Sequence, residues 1–361
     1  MPEFVDWKTT AEPLAVISCA VDAIRRGELV AFPTEIGYCA AGLAGEAAPA
    51  KRIAQDEGNW SLALPRRGAV AEWVIDVETV AVRFARRCWP GPIRLLLEGR
   101  LSPEKLAQLS GPARERVVQG QTLATRIPAH ESLLEALYQL SEPLLLAEGP
   151  GDSGPVWIHS HGDAISIVLE DDSPRFPQPP TWVRVRQNEW SVEQDGVYSR
   201  EDLERLAACF VYFVCTGNTC RSPMAAAIAK KLLAERLGCP EDELPIRGFL
   251  VMSGGVAAER DHPAAAEAQQ AMQAFDADLS QHRGRQVNPE LLAQSDYLFT
   301  MTRSHADSLL ALYPDLDLAP TLLGGDVDLE DPLGSDQNTY NECAQAIRQH
   351  LQRWLAEVFP P

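Results

Sequence analysis

Nowhere in the 361 residues is there an apolar run of 18, and no basic-plus-apolar leader opens the sequence. A membrane-spanning helix is therefore excluded, and a soluble, cytoplasmic protein is expected. Positive charge is scarce as well: 32 Lys and Arg stand against 51 Asp and Glu, a formal net charge of −19. Both halves are acidic, which disfavours extended binding along a phosphate backbone, so nucleic acid is not expected as a partner. The eight cysteines lack regular spacing, which indicates a reducing compartment and no disulfide framework. His159 and His161 alternate as a strand would place them, but no third ligand is near in sequence, so no metal site is expected. No internal repeat or low-complexity array appears. What is present is a chain with 45% apolar residues, long enough for two or three domains with sizeable cores.

One short stretch carries chemistry. After the apolar run Phe210-Val211-Tyr212-Phe213-Val214 the chain reads Cys215-Thr216-Gly217-Asn218-Thr219-Cys220-Arg221, then Ser222-Pro223-Met224. The apolar run predicts a buried parallel strand. Ser222 at the N-cap and Pro223 at the first helical position predict a helix ending near Gly238. The loop between them then sits on a helix N-terminus, where backbone N–H groups and the helix dipole converge on an anion. Both effects lower a thiol pKa, so Cys215 is expected to be a thiolate at neutral pH and a nucleophile. Arg221 offers a planar fork for two phosphoryl oxygens. Gly217 and Asn218 suit the left-handed backbone that a tight loop needs.

This pattern resembles the low-molecular-weight protein tyrosine phosphatases, and the resemblance covers about residues 207 to 361. Ser253-Gly254-Gly255 resembles the family's Ser-Ala-Gly segment, Asp296 to Thr302 its fourth strand, and Asp331-Pro332 its Asp-Pro loop. The resemblance implies that Asp331 acts as general acid and then as base. It implies that Thr216, Gly217, Asn218, Thr219, Cys220 and Ser222 hold the phosphate, with Ser222 donating to the thiolate. Cys220 is implied as a redox partner that traps an oxidised Cys215. The loop wording, with Thr219 where tyrosine-directed members carry a bulkier aliphatic residue, resembles the protein-arginine phosphatase branch, as does Leu333-Gly334-Ser335 after the Asp-Pro pair. Phosphoarginine on proteins is thus the favoured substrate, phosphotyrosine the next. No cofactor is implied. Thioredoxin-coupled arsenate reductases share the loop but relay to later cysteines, and this chain has none from Pro240 to Glu342.

The first 205 residues read differently. A helical pattern from Pro13 to Arg26 leads to a strand Leu29 to Pro33 and then Thr34-Glu35-Ile36-Gly37-Tyr38. Trp89-Pro90-Gly91-Pro92, Thr125-Arg126-Ile127-Pro128 and Val197-Tyr198-Ser199 follow in order. In that order they resemble the YrdC-like threonylcarbamoyl-AMP synthases over about residues 10 to 204. The sequence departs from that family where its Lys-Gly-Arg clamp and Ser-Ala-Asn would stand, reading Glu57-Gly58-Asn59 and Glu148-Gly149-Pro150. A reversed charge there repels a triphosphate. Thr34, Tyr38, Arg126 and Ser166 mark the remainder of a degenerate site. A regulatory domain binding a nucleotide, another small molecule or a partner is expected. The alternatives are a bifunctional protein still making threonylcarbamoyl-AMP and a binding protein with both sites vestigial. Arg66, Arg67, Arg83, Arg86 and Arg87 read as solvated charges, and Trp60, Trp73, Trp89, Trp157, Trp182 and Trp190 as core anchors.

The fold class is therefore α/β in two domains. Residues 1–205 form a twisted YrdC-like α/β domain, and residues 206–361 a doubly wound parallel sheet of the low-molecular-weight phosphatase kind.

Overall fold

The computed structural model describes residues 2–7, 9–53, 59–149, 161, 163–171, 174–316 and 318–359. Glu57, Gly58, Pro150, Trp157 and His159, read above, lie outside them. The chain divides into two compact units, Met1–Ala207 and Ala208–Pro361.

Among its described residues the first unit is built on an 11-stranded mixed sheet. Its middle strands lie in the order Leu29–Thr34, Gly37–Leu43, Leu144–Glu148, Asn59–Ala63, Thr122–Thr125 and Ile93–Glu98. Leu29–Thr34 is buried at all six positions, as a strand covered on both faces must be. One cover is the helix Pro13–Arg25, which buries Ile17, Ala20, Val21 and Ile24 at helical spacing. Trp60, Trp73 and Trp89 are buried as the sequence predicts.

Two of the arginines read as solvated charges have a different place. From the helix Thr79–Cys88, Arg83 donates to the carbonyl of Ala207 at 3.2 Å and Arg87 to that of Leu206 at 2.7 Å. These are closing carbonyls of the helix Arg200–Ala207, which lack partners within their own helix. The arginines thus cap a helix C-terminus, an arrangement that periodicity does not reveal.

The second unit has a four-stranded parallel sheet in the order Phe249–Gly255, Cys209–Cys215, Tyr297–Thr300, Thr321–Leu322. Cys209–Cys215 is buried throughout, and its side chains alternate between two cores. Val211 and Phe213 face the helices Arg221–Leu237 and Gln337–Val358, while Phe210, Tyr212 and Val214 face a cluster holding Leu292 and Leu309. The first strand in the chain lies between the second and the third, so the connections run outward in opposite directions from it. In such sheets ligands bind beyond the carboxyl ends of the strands at this reversal point, and Cys215 is the last residue of the central strand.

The helix after the loop spans Arg221–Leu237 and ends at Gly238 in the left-handed conformation, as expected. Its start is a correction. The N-cap is Cys220, without a side-chain cap, and Ser222 is already inside the first turn. The Ser222 hydroxyl is engaged by the loop instead of capping the helix. The final helix, Gln337–Val358, packs through Ile347, Leu351, Trp354 and Leu355 and is capped by Asp336, which accepts from the N–H of Thr339 at 3.0 Å.

Candidate functional site

Asn218 is the keystone of the loop. It holds a φ of 53°, and its side chain donates to Ser222 Oγ and to Ser253 Oγ, each at 2.9 Å. Its side-chain carbonyl accepts from the N–H of Arg285 at 3.1 Å, and its main-chain carbonyl from His282 Nε2 at 2.8 Å. The second strand supports the loop from the side. An added Cβ at Gly255 would lie 2.3 Å from the Thr216 carbonyl oxygen and 2.9 Å from the Asn218 nitrogen, so only glycine admits this approach.

This scaffold holds Cys215. Its Sγ is 2.9 Å from Ser222 Oγ and receives the Asn218 N–H at 3.3 Å. The N–H groups of Gly217, Thr219 and Cys220 meet no protein acceptor among the described residues. With the helix N-terminus behind them they form an anion cradle. Burial pushes the Cys215 thiol up, and the Ser222 hydroxyl, the N–H groups of Ser222 and Asn218, and Arg221 pull it down. Burial wins, because the residue is only 3% exposed.

Arg221, in the first turn of the helix, is buried. It donates to the carbonyl of Leu329 at 3.0 Å and to the carboxylate of Asp331. Asp331 is about half exposed and also accepts from the N–H of Leu333 at 3.2 Å. The structure thus brings Cys215, Ser222, Arg221 and Asp331 together from elements more than 100 residues apart. Thr219 Oγ1 lies 3.5 Å from Cys220 Sγ, and Cys220 Sγ lies 3.3 Å from the hydroxyl of Tyr340 on the final helix. Both Cys215 and Cys220 are free thiols.

Sequence reasoning passed over four participants. His282 and Arg285 hold Asn218, Tyr340 holds Cys220, and His305 lies 2.8 Å from Thr216 Oγ1 through Nε2. None has a local signature, since each reaches the loop from 64 to 120 residues away. Motif spacing cannot report a partner chosen by the sheet order.

In the first unit the marked residues do not converge fully. Thr34 ends a buried strand, and Tyr38 bonds through its hydroxyl to the main chain of Asp171 at 3.0 Å. Ser166 donates to the carbonyl of Leu29 at 3.1 Å. That places it at the other end of the strand from Thr34, about 16 Å away at roughly 3.3 Å per residue. Arg126 is wholly buried between two carboxylates: Nη2 donates to Glu35 at 2.8 Å, and Nη1 donates to Glu148. A cleft of about 450 Å³ opens beside Thr34, lined by Pro90, Pro92, His130, Arg175, Phe176 and Tyr198 among others. Among the described residues no cluster of three metal-ligating side chains occurs, and no helix is long and apolar enough to cross a membrane.

The two halves match different families. Residues 210–359 match the family described as low molecular weight phosphotyrosine protein phosphatase. Residues 22–192 match the Sua5/YciO/YrdC family, described as telomere recombination. A protein-arginine-phosphatase of Geobacillus stearothermophilus is 30% identical over 152 residues, covering 41% of this chain and 93% of that protein. A probable low molecular weight protein-tyrosine-phosphatase of Ralstonia nicotianae is 25% identical over 150 residues, 41% of this chain and 94% of its own length. An arsenate reductase of Staphylococcus aureus is 28% identical over 144 residues, 40% of this chain and 94% of that protein.

Proposed function

Through its C-terminal half the chain belongs to the low molecular weight phosphotyrosine protein phosphatase family, and on that footing we propose that residues 206–361 are a cysteine-dependent protein phosphatase acting on phosphoarginine. The observation that carries the reading is the grouping of Cys215 Sγ, Ser222 Oγ, Arg221 and Asp331 around one loop at a helix N-terminus.

The substrate phosphoryl group enters the cradle of loop N–H groups, formed by residues 216 to 221, and takes Arg221 as a bidentate partner. Cys215 passes its proton to a phosphoryl oxygen of the bound substrate, and Ser222, the Asn218 N–H and Arg221 stabilise the thiolate. The sulfur attacks phosphorus in line, the S–P bond forms and the bond to the substrate nitrogen breaks. Asp331 gives its proton to the leaving nitrogen. The same carboxylate then takes a proton from water, whose oxygen attacks the phosphocysteine; the S–P bond breaks, and the Cys215 thiolate takes a proton back from the departing phosphate. The spreading negative charge is held by preorganised donors throughout.

Thr219 supports phosphoarginine over phosphotyrosine, because a hydroxyl beside the cradle pairs with N–H groups that an aryl ester lacks. The Geobacillus relative, a protein-arginine-phosphatase, agrees in kind. Cys220 serves as the redox partner of Cys215 in this reading, and phosphorylated cytoplasmic proteins are the substrates.

For residues 1–205 we propose a ligand-binding or regulatory role. Arg126 is wholly buried and its charge is already balanced by buried Glu35 and Glu148, which leaves no net positive charge there to attract a nucleotide phosphate. Synthesis of threonylcarbamoyl-AMP is disfavoured on the same ground.

The test compares wild type and Cys215→Ser on phosphoarginine-bearing and phosphotyrosine-bearing proteins without added metal. Cys215-dependent phosphate release from phosphoarginine supports the reading, and preference for phosphotyrosine moves the protein to the tyrosine-directed branch. No release from either substrate removes the proposal.

A further inference from the structure

Thr216, one residue after the nucleophile, is exposed at the mouth of the loop, whereas Asn218 and Cys220 are buried. Its hydroxyl lies 2.8 Å from Nε2 of His305, whose Nδ1 lies 2.8 Å from the hydroxyl of Thr302. Thr302 is the N-cap of the helix Arg303–Leu312, and its oxygen also accepts from the N–H of His305 at 3.3 Å. The chain of contacts therefore runs from a helix cap through one ring to a residue of the phosphate loop.

The proton order along it follows from the cap. One lone pair of Thr302 Oγ1 is engaged by the main-chain N–H, and its own proton is placed to bond Nδ1. Burial and the Arg221 guanidinium push His305 down to about 4, against the opposing pull of Asp331 and Asp328. The ring is thus neutral at neutral pH, and with Nδ1 accepting, its proton is on Nε2 and is donated to Thr216. That leaves Thr216 Oγ1 one free lone pair and its own proton. A threonine without this bond would distribute its hydroxyl among staggered rotamers.

We propose that His305 is a positioning residue for substrate choice. It pins the Thr216 hydroxyl at the loop mouth, where the free lone pair accepts an N–H of a phosphorylated guanidinium and the proton meets its phosphoryl oxygen. An aryl phosphate has the oxygens but no N–H to offer. His305 therefore contributes to turnover of phosphoarginine and little to turnover of an aryl ester. The inference rests on the phosphoarginine reading above.

The experiment measures kcat and KM of wild type, His305→Leu, His305→Gln, Thr216→Val and the His305→Leu/Thr216→Val double variant. Two substrates are used, a phosphoarginine-bearing protein and p-nitrophenyl phosphate. Loss of one hydrogen bond predicts a fall of about tenfold in kcat/KM on phosphoarginine for His305→Leu. On p-nitrophenyl phosphate, whose turnover checks that the loop is intact, the value stays within about twofold of wild type. His305→Gln, which keeps a donor near the Nε2 position, recovers most of the loss. On phosphoarginine Thr216→Val also loses activity, and the double variant is no worse there than Thr216→Val alone. Equal losses on both substrates would make His305 a general support of the loop and overturn the inference, as would an unchanged rate on phosphoarginine. If His305→Leu does not fold, His305→Phe and His305→Asn, read on the same two substrates, take its place. Wild type that turns over p-nitrophenyl phosphate but not phosphoarginine would defeat the substrate reading itself, a result distinct from a wild type that is selective while its His305 variants remain equally so.

Discussion

Arg221 and Asp331 hold each other: the guanidinium that is proposed to receive the phosphoryl group is bonded to the carboxylate proposed to protonate the leaving group. A second Arg221 nitrogen is engaged by the Leu329 carbonyl at 3.0 Å. An incoming phosphoryl group must compete with Asp331 for the fork. Asp331→Asn is accordingly expected to lower kcat by roughly 10²- to 10³-fold, the usual contribution of a positioned acid. It is also expected to tighten binding of inorganic phosphate by releasing Arg221. Steady-state kinetics and competitive inhibition by phosphate check both, and weaker phosphate binding in the variant would count against the competition.

Asn218 gives a second test, because its backbone and its side chain have separate roles. Asn218→Gly keeps the φ of 53° accessible and removes the hydrogen bonds to Ser222, Ser253 and Arg285. Asn218→Ala removes the bonds and adds backbone strain. Both should lose activity, with Asn218→Ala less stable than Asn218→Gly by about 1 kcal/mol or more, measured by urea unfolding. Equal stabilities would show that the loop relaxes out of this conformation.

Buried thiols set an alkaline limit. Burial pushes Cys39 and Cys88 from their ordinary 9.0 up to about 12. Between those values the unfolded chain gives up protons that the folded chain keeps, so folding loses stability as pH rises. Below pH 9 these groups contribute no slope. Cys39→Ser/Cys88→Ala is expected to flatten the decline in melting temperature between pH 9 and 11, and an unchanged slope in that double variant would assign the decline to other groups.

Arg126 tests the first unit. Removing it by Arg126→Met strands Glu35 and Glu148 in the interior, and the expected cost is about 3–5 kcal/mol. Replacing all three residues by Met and two Gln should recover most of that loss, because the charges leave together. Urea unfolding of the single and triple variants distinguishes the outcomes, and a mild effect of Arg126→Met alone would mean that water reaches the carboxylates.

What the sequence revealed was local. The Cys215 to Arg221 loop, its preceding strand and the stop at Gly238 are written in adjacent residues, so pattern and propensity suffice. Ser222 was misplaced as an N-cap because propensity cannot anticipate that Asn218 and Cys215 claim its hydroxyl. The surroundings of Cys215 are only half legible for a related reason. A helix N-terminus is visible in sequence, whereas the packing that excludes water from the sulfur is made by distant segments. Glu35 and Glu148 show the same limit, since their pairing with Arg126 depends on strands 91 and 22 residues away in sequence meeting at one point of the sheet. His305 and Tyr340 were silent until the sheet order placed their helices beside the loop.

The bond between Cys220 and Tyr340 spans 120 residues. A ribosome makes the loop early and the helix Gln337–Val358 late. Nascent chains paused before that helix would carry a loop whose Cys220 thiol has no hydroxyl against it and whose hydrophobic flank is uncovered. The packing around the loop is therefore completed only in a late step of synthesis, when that helix is made.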